Sequence, residues 1–339
     1  GLGSIIPNCH HLPFIEDSEL QERFIKNINM SGATCARVFL DDTYGKFEQK
    51  LGDYNPKSID KITELSKRIP LVVDLFDAFY LLHADYDNPG FSRSRLNSPY
   101  LVQKGGKSIR EQQLAIFLDK EIRSKLMYRF WVASSALRNS PFIKAICVGN
   151  EVNIRSRDRK YDRALHTDFY EEAVDTIHSA GWNGPIMLGI DDPNLVDEDI
   201  FAKKQNQVIN TLHAYPWSSS YRIREYKQRK NHPIPLGVQE VGMPKEDYEV
   251  SSADYDVECS RFILATVWKL SQTDQNGVKP LISHIGPWRV SADGDFHQDN
   301  YEINFRDMPQ TLSALVNGVR PLLENPNYLP NSVSWFPLL

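Results

Sequence analysis

The chain has 339 residues, 41% of them hydrophobic and 24% charged, with a formal net charge of −5. A net acidic chain argues against nucleic acid as the main partner, because neutralising phosphates takes a basic surface. No run of eighteen or more apolar residues occurs, so no membrane span is expected, and the length admits either two domains or one α/β barrel with long loops.

Ser4 to Cys9 reads as a short first strand, followed by His10-His11 and a helix introduced by Asp17 and closed by Ser31-Gly32. A second strand over Ala33 to Leu40 carries Arg37 in an apolar context, so that arginine should face an acid. Asp41 to Asn55 reads as a loop, and Pro56 opens a helix with Ile59, Ile62 and Leu65 on one face. Leu71 to Phe76 gives a third strand. The long aromatic stretch from Asp77 to Gly106 has the composition of a functional loop or lid, and a helical pattern from Ser108 leads to about Leu137.

Ile143 to Val148 has the composition of a strand buried on both faces and ends in Gly149-Asn150-Glu151. The charged run Arg155 to Lys160 reads as a solvated loop or as a rim for a polyhydroxylated ligand. A helix over His166 to Ala180, a strand over Pro185 to Ile190 and a short helical crossover over Asn194 to Lys204 follow. A sixth strand from Gln207 ends in His213-Ala214-Tyr215-Pro216-Trp217, and Ser218 to Lys230 is helical. A seventh strand from Ile234 ends in Gln239-Glu240. After a helix over Ala253 to Thr273, an eighth strand over Leu281 to Ile285 ends in Gly286-Pro287-Trp288, and Pro309 to Leu323 is the last helix.

Strict strand–helix alternation implies parallel strands joined by right-handed crossovers. Eight such units, without Gly-x-Gly-x-x-Gly after the first strand, point to one closed (β/α)8 barrel, a single catalytic domain over residues 1–339. In that fold, chemistry sits at the carboxyl ends of the strands. Asn150, Glu151, His213, Tyr215, Glu240 and Trp288 all meet this condition. Glutamates ending the fourth and seventh strands suggest paired-carboxylate chemistry, which in retaining glycosidases needs carboxyl groups roughly 5–5.5 Å apart.

These same residues carry a family resemblance. Gly149-Asn150-Glu151 and Gln239-Glu240-Val241-Gly242 resemble the acid/base and nucleophile signatures of glycoside hydrolase clan A, the retaining β-glycosidases built on (β/α)8 barrels. Arg37 resembles the second-strand arginine that holds the nucleophile in the cellulase-like family 5. His213-x-Tyr215 resembles that family's sixth-strand pair, and Trp288 the tryptophan that floors its sugar subsite. Where family 5 usually places a histidine after Asp-Leu on the third strand, this chain has Asp74-Leu75-Phe76-Asp77. Val148 to Val152 and Glu240 to Pro244 also echo the family 17 β-1,3-glucanases, which lack the second-strand arginine.

The resemblance implies hydrolysis of a β-linked glycan by double displacement, with Glu240 as nucleophile and Glu151 as acid/base. Arg37 and Tyr215 would keep Glu240 ionised, and a neighbouring carboxylate would favour the protonated form of Glu151. Asn150 would bond the sugar 2-hydroxyl, and Trp288, with His213 and Trp217, would complete the substrate site. Endo action on an oligo- or polysaccharide such as β-glucan or β-mannan is favoured, by a monomer. The alternative is a catalytically silent barrel that binds carbohydrate.

His10-His11 with His213 and Asp293 raise a metal barrel. The usual His-x-His after the first strand and the fourth-strand lysine are both absent, however, so no metal and no organic cofactor is expected. Cys9, Cys35, Cys147 and Cys259 show no Cys-x-x-Cys spacing and are expected to be buried thiols. The start Gly1-Leu2-Gly3-Ser4 suits a processed or trimmed chain; localisation is left open, with a secreted or extracellular setting slightly favoured.

Overall fold

The computed structural model describes residues 2–40, 47–50, 52–77, 116–152, 159–245, 252–272, 277–292 and 303–325. The aromatic stretch Phe79 to Tyr100, Asp293 and the run Arg155 to Asp158 lie outside them. The strands are β1 (Ala36–Phe39), β2 (Glu48–Lys50), β3 (Asp53–Tyr54), β4 (Leu71–Asp74), β5 (Ile143–Cys147), β6 (Ile186–Met187), β7 (Val208–Ala214), β8 (Leu236–Val241) and β9 (Ile282–Pro287). The chain divides into two compact units. One holds Gly1–Arg37, Asp192–Asn194 and Ile209–Leu339, and the other holds Val38–Asp191 and Leu195–Val208.

In the first unit, β7, β8 and β9 run parallel in that order. Ser4 to Cys9 lies along β9 on one side and the start of β1 on the other. The Ile6 amide donates to the Ile285 carbonyl at 2.9 Å, and the Cys9 amide to the Arg37 carbonyl at 2.9 Å. Pro7 has no N–H, so only its carbonyl serves the ladder, accepting from the Arg37 amide at 2.9 Å. The first expected strand is therefore present as isolated bridges rather than as a continuous element. Helix α1 (Ser18–Met30) starts where the Asp17 carboxylate accepts from the Glu19 and Leu20 amides, and it buries Leu20, Phe24, Ile25 and Ile28.

In the second unit the order is β1-β4-β5-β6, with β4, β5 and β6 parallel. Every residue of β4 is buried, as are Ile143, Ala145, Ile146 and Cys147 of β5, which is why these strands read as continuous apolar runs. Helix α2 (Pro56–Ser66) is capped by Asn55, and helix α3 (Lys120–Leu137) by Asp119. Helix α4 (Arg159–Ser179) begins earlier than the expected start at His166, so Arg159 and Lys160 are helical rather than loop. Residues 41–55 were expected to be a loop, yet β2 and β3 form an antiparallel hairpin there.

That hairpin is fixed by a buried ion pair. The Arg129 guanidinium donates to Glu48 at 3.2 Å and, through Nε and Nη2, to the Leu75 carbonyl at 2.9 and 2.8 Å, and it lies over the rings of Phe47 and Phe76. All four cysteines are free and buried, and burial pushes the Cys259 thiol up to about 12. No helix among the described residues is long and apolar enough to cross a membrane.

Candidate active site

Glu240 lies in β8 with its carboxylate buried, a placement that costs several kcal/mol unless every lone pair finds a donor. Arg37, on β1, donates from Nη1 to Glu240 Oε1 at 2.8 Å. The Tyr215 hydroxyl donates to Oε2 at 2.6 Å, and His213 Nδ1 stands 3.1 Å from the same oxygen. Charge-assisted bonds of this kind are roughly twice as strong as neutral ones, and the Arg37 and Tyr215 bonds, one to each oxygen, fix the carboxylate plane.

His213 Nε2 also stands 3.1 Å from the Gln239 side-chain oxygen. The neutral tautomer that serves Glu240 carries its proton on Nδ1. That state requires Gln239 to turn its amide nitrogen toward Nε2, whereas a doubly protonated imidazole would donate to both carboxamide and carboxylate.

Asn8 completes the arrangement, although the sequence reading had not singled it out. Its Oδ1 accepts from Arg37 Nη1 at 2.8 Å, while Nδ2 donates to the carbonyls of Gln239 and Pro287 at 2.9 and 3.1 Å. One amide thus joins the arginine to two strands. The available signal was its position: Asn8 ends the first strand segment, as the other candidates end theirs. His284 of β9 was likewise missed. It is buried, its Nδ1 lies 2.7 Å from the Ser283 hydroxyl, and burial, reinforced by the Arg37 charge, lowers its pKa from 6.5 to about 3. A neutral imidazole therefore shares the interior with the guanidinium.

The aromatic candidates follow the strand ends. The Trp288 amide donates to the Val241 carbonyl at 2.9 Å, its indole stacks on the His10 ring at 5.5 Å and 14°, and its peptide bond to Arg289 is cis. Trp217 is exposed and lies parallel to Tyr215, with centroids 5.1 Å apart.

In the second unit, Asn150 and Glu151 follow β5 on a tightly set corner. The Asn150 amide donates to the Phe76 carbonyl and the Glu151 amide to the Gly189 carbonyl, both at 2.8 Å. A Cβ on Gly149 would lie 2.5 Å from the Phe76 carbonyl oxygen. One on Gly189, where φ is +77°, would lie 1.5 Å from the Gly149 carbonyl oxygen. Only two bare backbones fit there. Glu151 itself has φ +53°, unusual for a residue with a side chain, and the surrounding bonds hold it in that conformation. Beyond it, the Tyr170 hydroxyl donates to the Val152 carbonyl at 2.8 Å. Burial and the nearby Cys147, Asp191, Asp74 and Glu151 raise its pKa well above the usual phenol value, keeping it a donor.

No protein-family pattern matches the sequence, and no curated protein matches it. Solved structures do. An endo-β-1,4-mannanase from Thermotoga petrophila superposes with a TM-score of 0.65 at 14% identity, covering 97% of this chain and 78% of that one. An endo-1,4-β-mannanase from Rhizomucor miehei gives 0.64 at 14% identity, covering 94% and 95%. A family 5 xyloglucanase from Paenibacillus pabuli gives 0.58 at 12% identity, covering 94% and 99%. The chain has the (β/α)8-barrel fold seen in family 5 glycoside hydrolases.

With the β2–β3 hairpin set aside and Ser4 to Cys9 counted as the first strand of the (β/α)8 barrel, β5 is the fourth and β8 the seventh. Of the residues singled out from sequence, Arg37, His213, Tyr215 and Glu240 are in direct contact. Trp217 and Trp288 follow the ends of β7 and β9, and Asn150 and Glu151 follow β5.

Proposed function

We propose that this protein is a retaining β-glycoside hydrolase that cleaves a β-linked glycan by double displacement. Glu240 is the nucleophile. Its carboxylate attacks the anomeric carbon while the Glu151 carboxyl gives its proton to the leaving oxygen, and a glycosyl ester forms on Glu240. A water molecule that loses its proton to the Glu151 carboxylate then attacks the anomeric carbon and releases Glu240. The observation that carries this reading is the buried Glu240 carboxylate, gripped by Arg37, Tyr215 and His213. A buried anion with that many donors is pre-aligned for attack, and the same donors would stabilise it again as the leaving carboxylate when the ester is hydrolysed.

Asn150 would bond the 2-hydroxyl of the sugar undergoing cleavage, Trp288 would floor that sugar, and the exposed Trp217 would stack a neighbouring one. Endo action on a β-glucan or β-mannan fits the mannanase and xyloglucanase names of the structural neighbours.

The test is hydrolysis of aryl β-glycosides and of β-glucan, β-mannan and xylan, with the anomer of the first product read by proton NMR. The expected product retains the β-configuration, and Glu240→Gln loses at least about 10⁴-fold in kcat. Full hydrolysis by Glu240→Gln sinks the reading. Glycan binding by the wild type without release of reducing ends would instead indicate a silent carbohydrate-binding barrel.

A further inference from the structure

Asn150 is an amide whose two ends differ in chemistry but hardly in size, so its neighbours decide which end meets a ligand. Its backbone is set by the bond to the Phe76 carbonyl, and Asp77 and Asn150 form a parallel bridge. Its side chain meets Asp77: Nδ2 donates to Asp77 Oδ1 at 3.3 Å, and both residues are buried. A carboxylate oxygen accepts. It therefore takes the amino end of the carboxamide and turns Oδ1 the other way.

We infer that Asp77 is a positioning residue that fixes the orientation of the Asn150 carboxamide and thereby selects substrates carrying a free 2-hydroxyl. The inference rests on the glycosidase reading above, in which Asn150 meets that hydroxyl. With Oδ1 turned away from Asp77, Asn150 presents an acceptor, and the sugar hydroxyl serves as donor. Reversed, the same side chain would present N–H groups and the hydroxyl would have to accept. A bond that strengthens as positive charge develops on the sugar ring is the one in which the increasingly acidic hydroxyl donates. Asp77 itself then needs no contact with the substrate.

The experiment compares kcat/KM for 4-nitrophenyl β-glucoside, for the β-mannoside and for the 2-deoxy glycoside that both sugars share. Each is measured with the wild type, Asp77→Asn, Asp77→Ser and Asn150→Ala, with melting temperatures as a check on folding. Asp77→Asn offers a donor as well as an acceptor, so it no longer dictates the orientation of Asn150. The expected result is that the hydroxylated-to-deoxy ratio of kcat/KM falls about tenfold in Asp77→Asn and Asp77→Ser, the loss of one well-formed hydrogen bond. It should fall at least as far in Asn150→Ala, and adding Asp77→Asn to that variant should lower the ratio no further.

A purely structural role would lower both rates together and leave the ratio unchanged; that result, or no change in any rate, overturns the inference. Activity that depends on Glu240 with an unchanged ratio removes this inference alone. Failure of the wild type to cleave these three glycosides and β-glucan, β-mannan and xylan alike, or cleavage indifferent to Glu240→Gln, removes the glycosidase reading and this inference with it.

Discussion

Arg37 and Glu240 place a full positive and a full negative charge out of water, 2.8 Å apart, and His284 is held neutral in the same interior. Such pairs add little net stability, because desolvation consumes most of the Coulomb gain; their value lies in fixing a geometry. His284 carries a burial cost of its own that can be measured. Its folded pKa of about 3 lies below the unfolded value of 6.5, so below pH 6.5 the unfolded chain binds a proton that the folded chain refuses. Stability is then fully present above pH 6.5 and is lost as pH falls toward 3, by about 1.4 kcal/mol per pH unit from this group. Urea unfolding midpoints between pH 7 and 4 should fall more steeply in the wild type than in His284→Gln. Equal slopes would show that the imidazole is not held neutral.

Residue-level legibility follows from where partners lie. Glu151 and Glu240 stand out in the sequence because each ends an apolar run, and Arg37 because it interrupts one. Asn8 shares only the position near a strand end, and His284, inside β9, lacks even that. The bonds that give Asn8 its meaning reach residues 231 and 279 positions away, and a single polar residue in a strand does not announce them.

At the scale of elements, the short apolar strands and the starts of α1 and α2 were legible because each is written in local chemistry: Asp17 caps α1 and Pro56 opens α2. The helical pattern read from Ser108 was not so legible, since it breaks at Asp119, whose side chain caps α3. What escaped was structure made by tertiary contacts. The β2–β3 hairpin lies in a polar stretch with no alternating pattern, and it is held by Glu48 reaching Arg129, 81 residues away. The strand expected over Pro185 to Ile190 pairs only at Ile186–Met187, because Gly189 takes a positive φ to admit the Gly149 carbonyl. The Glu48–Arg129 pair yields a test of its own. Glu48→Leu and Arg129→Met should each cost about 3–5 kcal/mol in chemical denaturation, since each strands a buried charge. The double variant should cost well below the sum of the two; additive losses would mean that the charges do not depend on each other.

On the scale of the whole molecule, the fold was readable because eight strand–helix units in succession leave few topologies. The net charge of −5 bears on function at this scale. A neutral glycan releases no counterions on binding, so KM for β-glucan or β-mannan should stay constant from about 50 to 500 mM salt, over which contacts to a polyanion would weaken by orders of magnitude. A strong salt dependence measured in initial-rate assays would point to a charged substrate. The Asn8 amide has one more consequence, in the order of manufacture. Asn8 is made well before the Pro287 carbonyl it binds, which is added 279 positions later, on the order of tens of seconds at ribosomal speed. A nascent chain that already contains Glu240 still lacks β9, so the seat for that carboxylate closes only when newly translated β9 reaches back to a segment that has been waiting since early in synthesis.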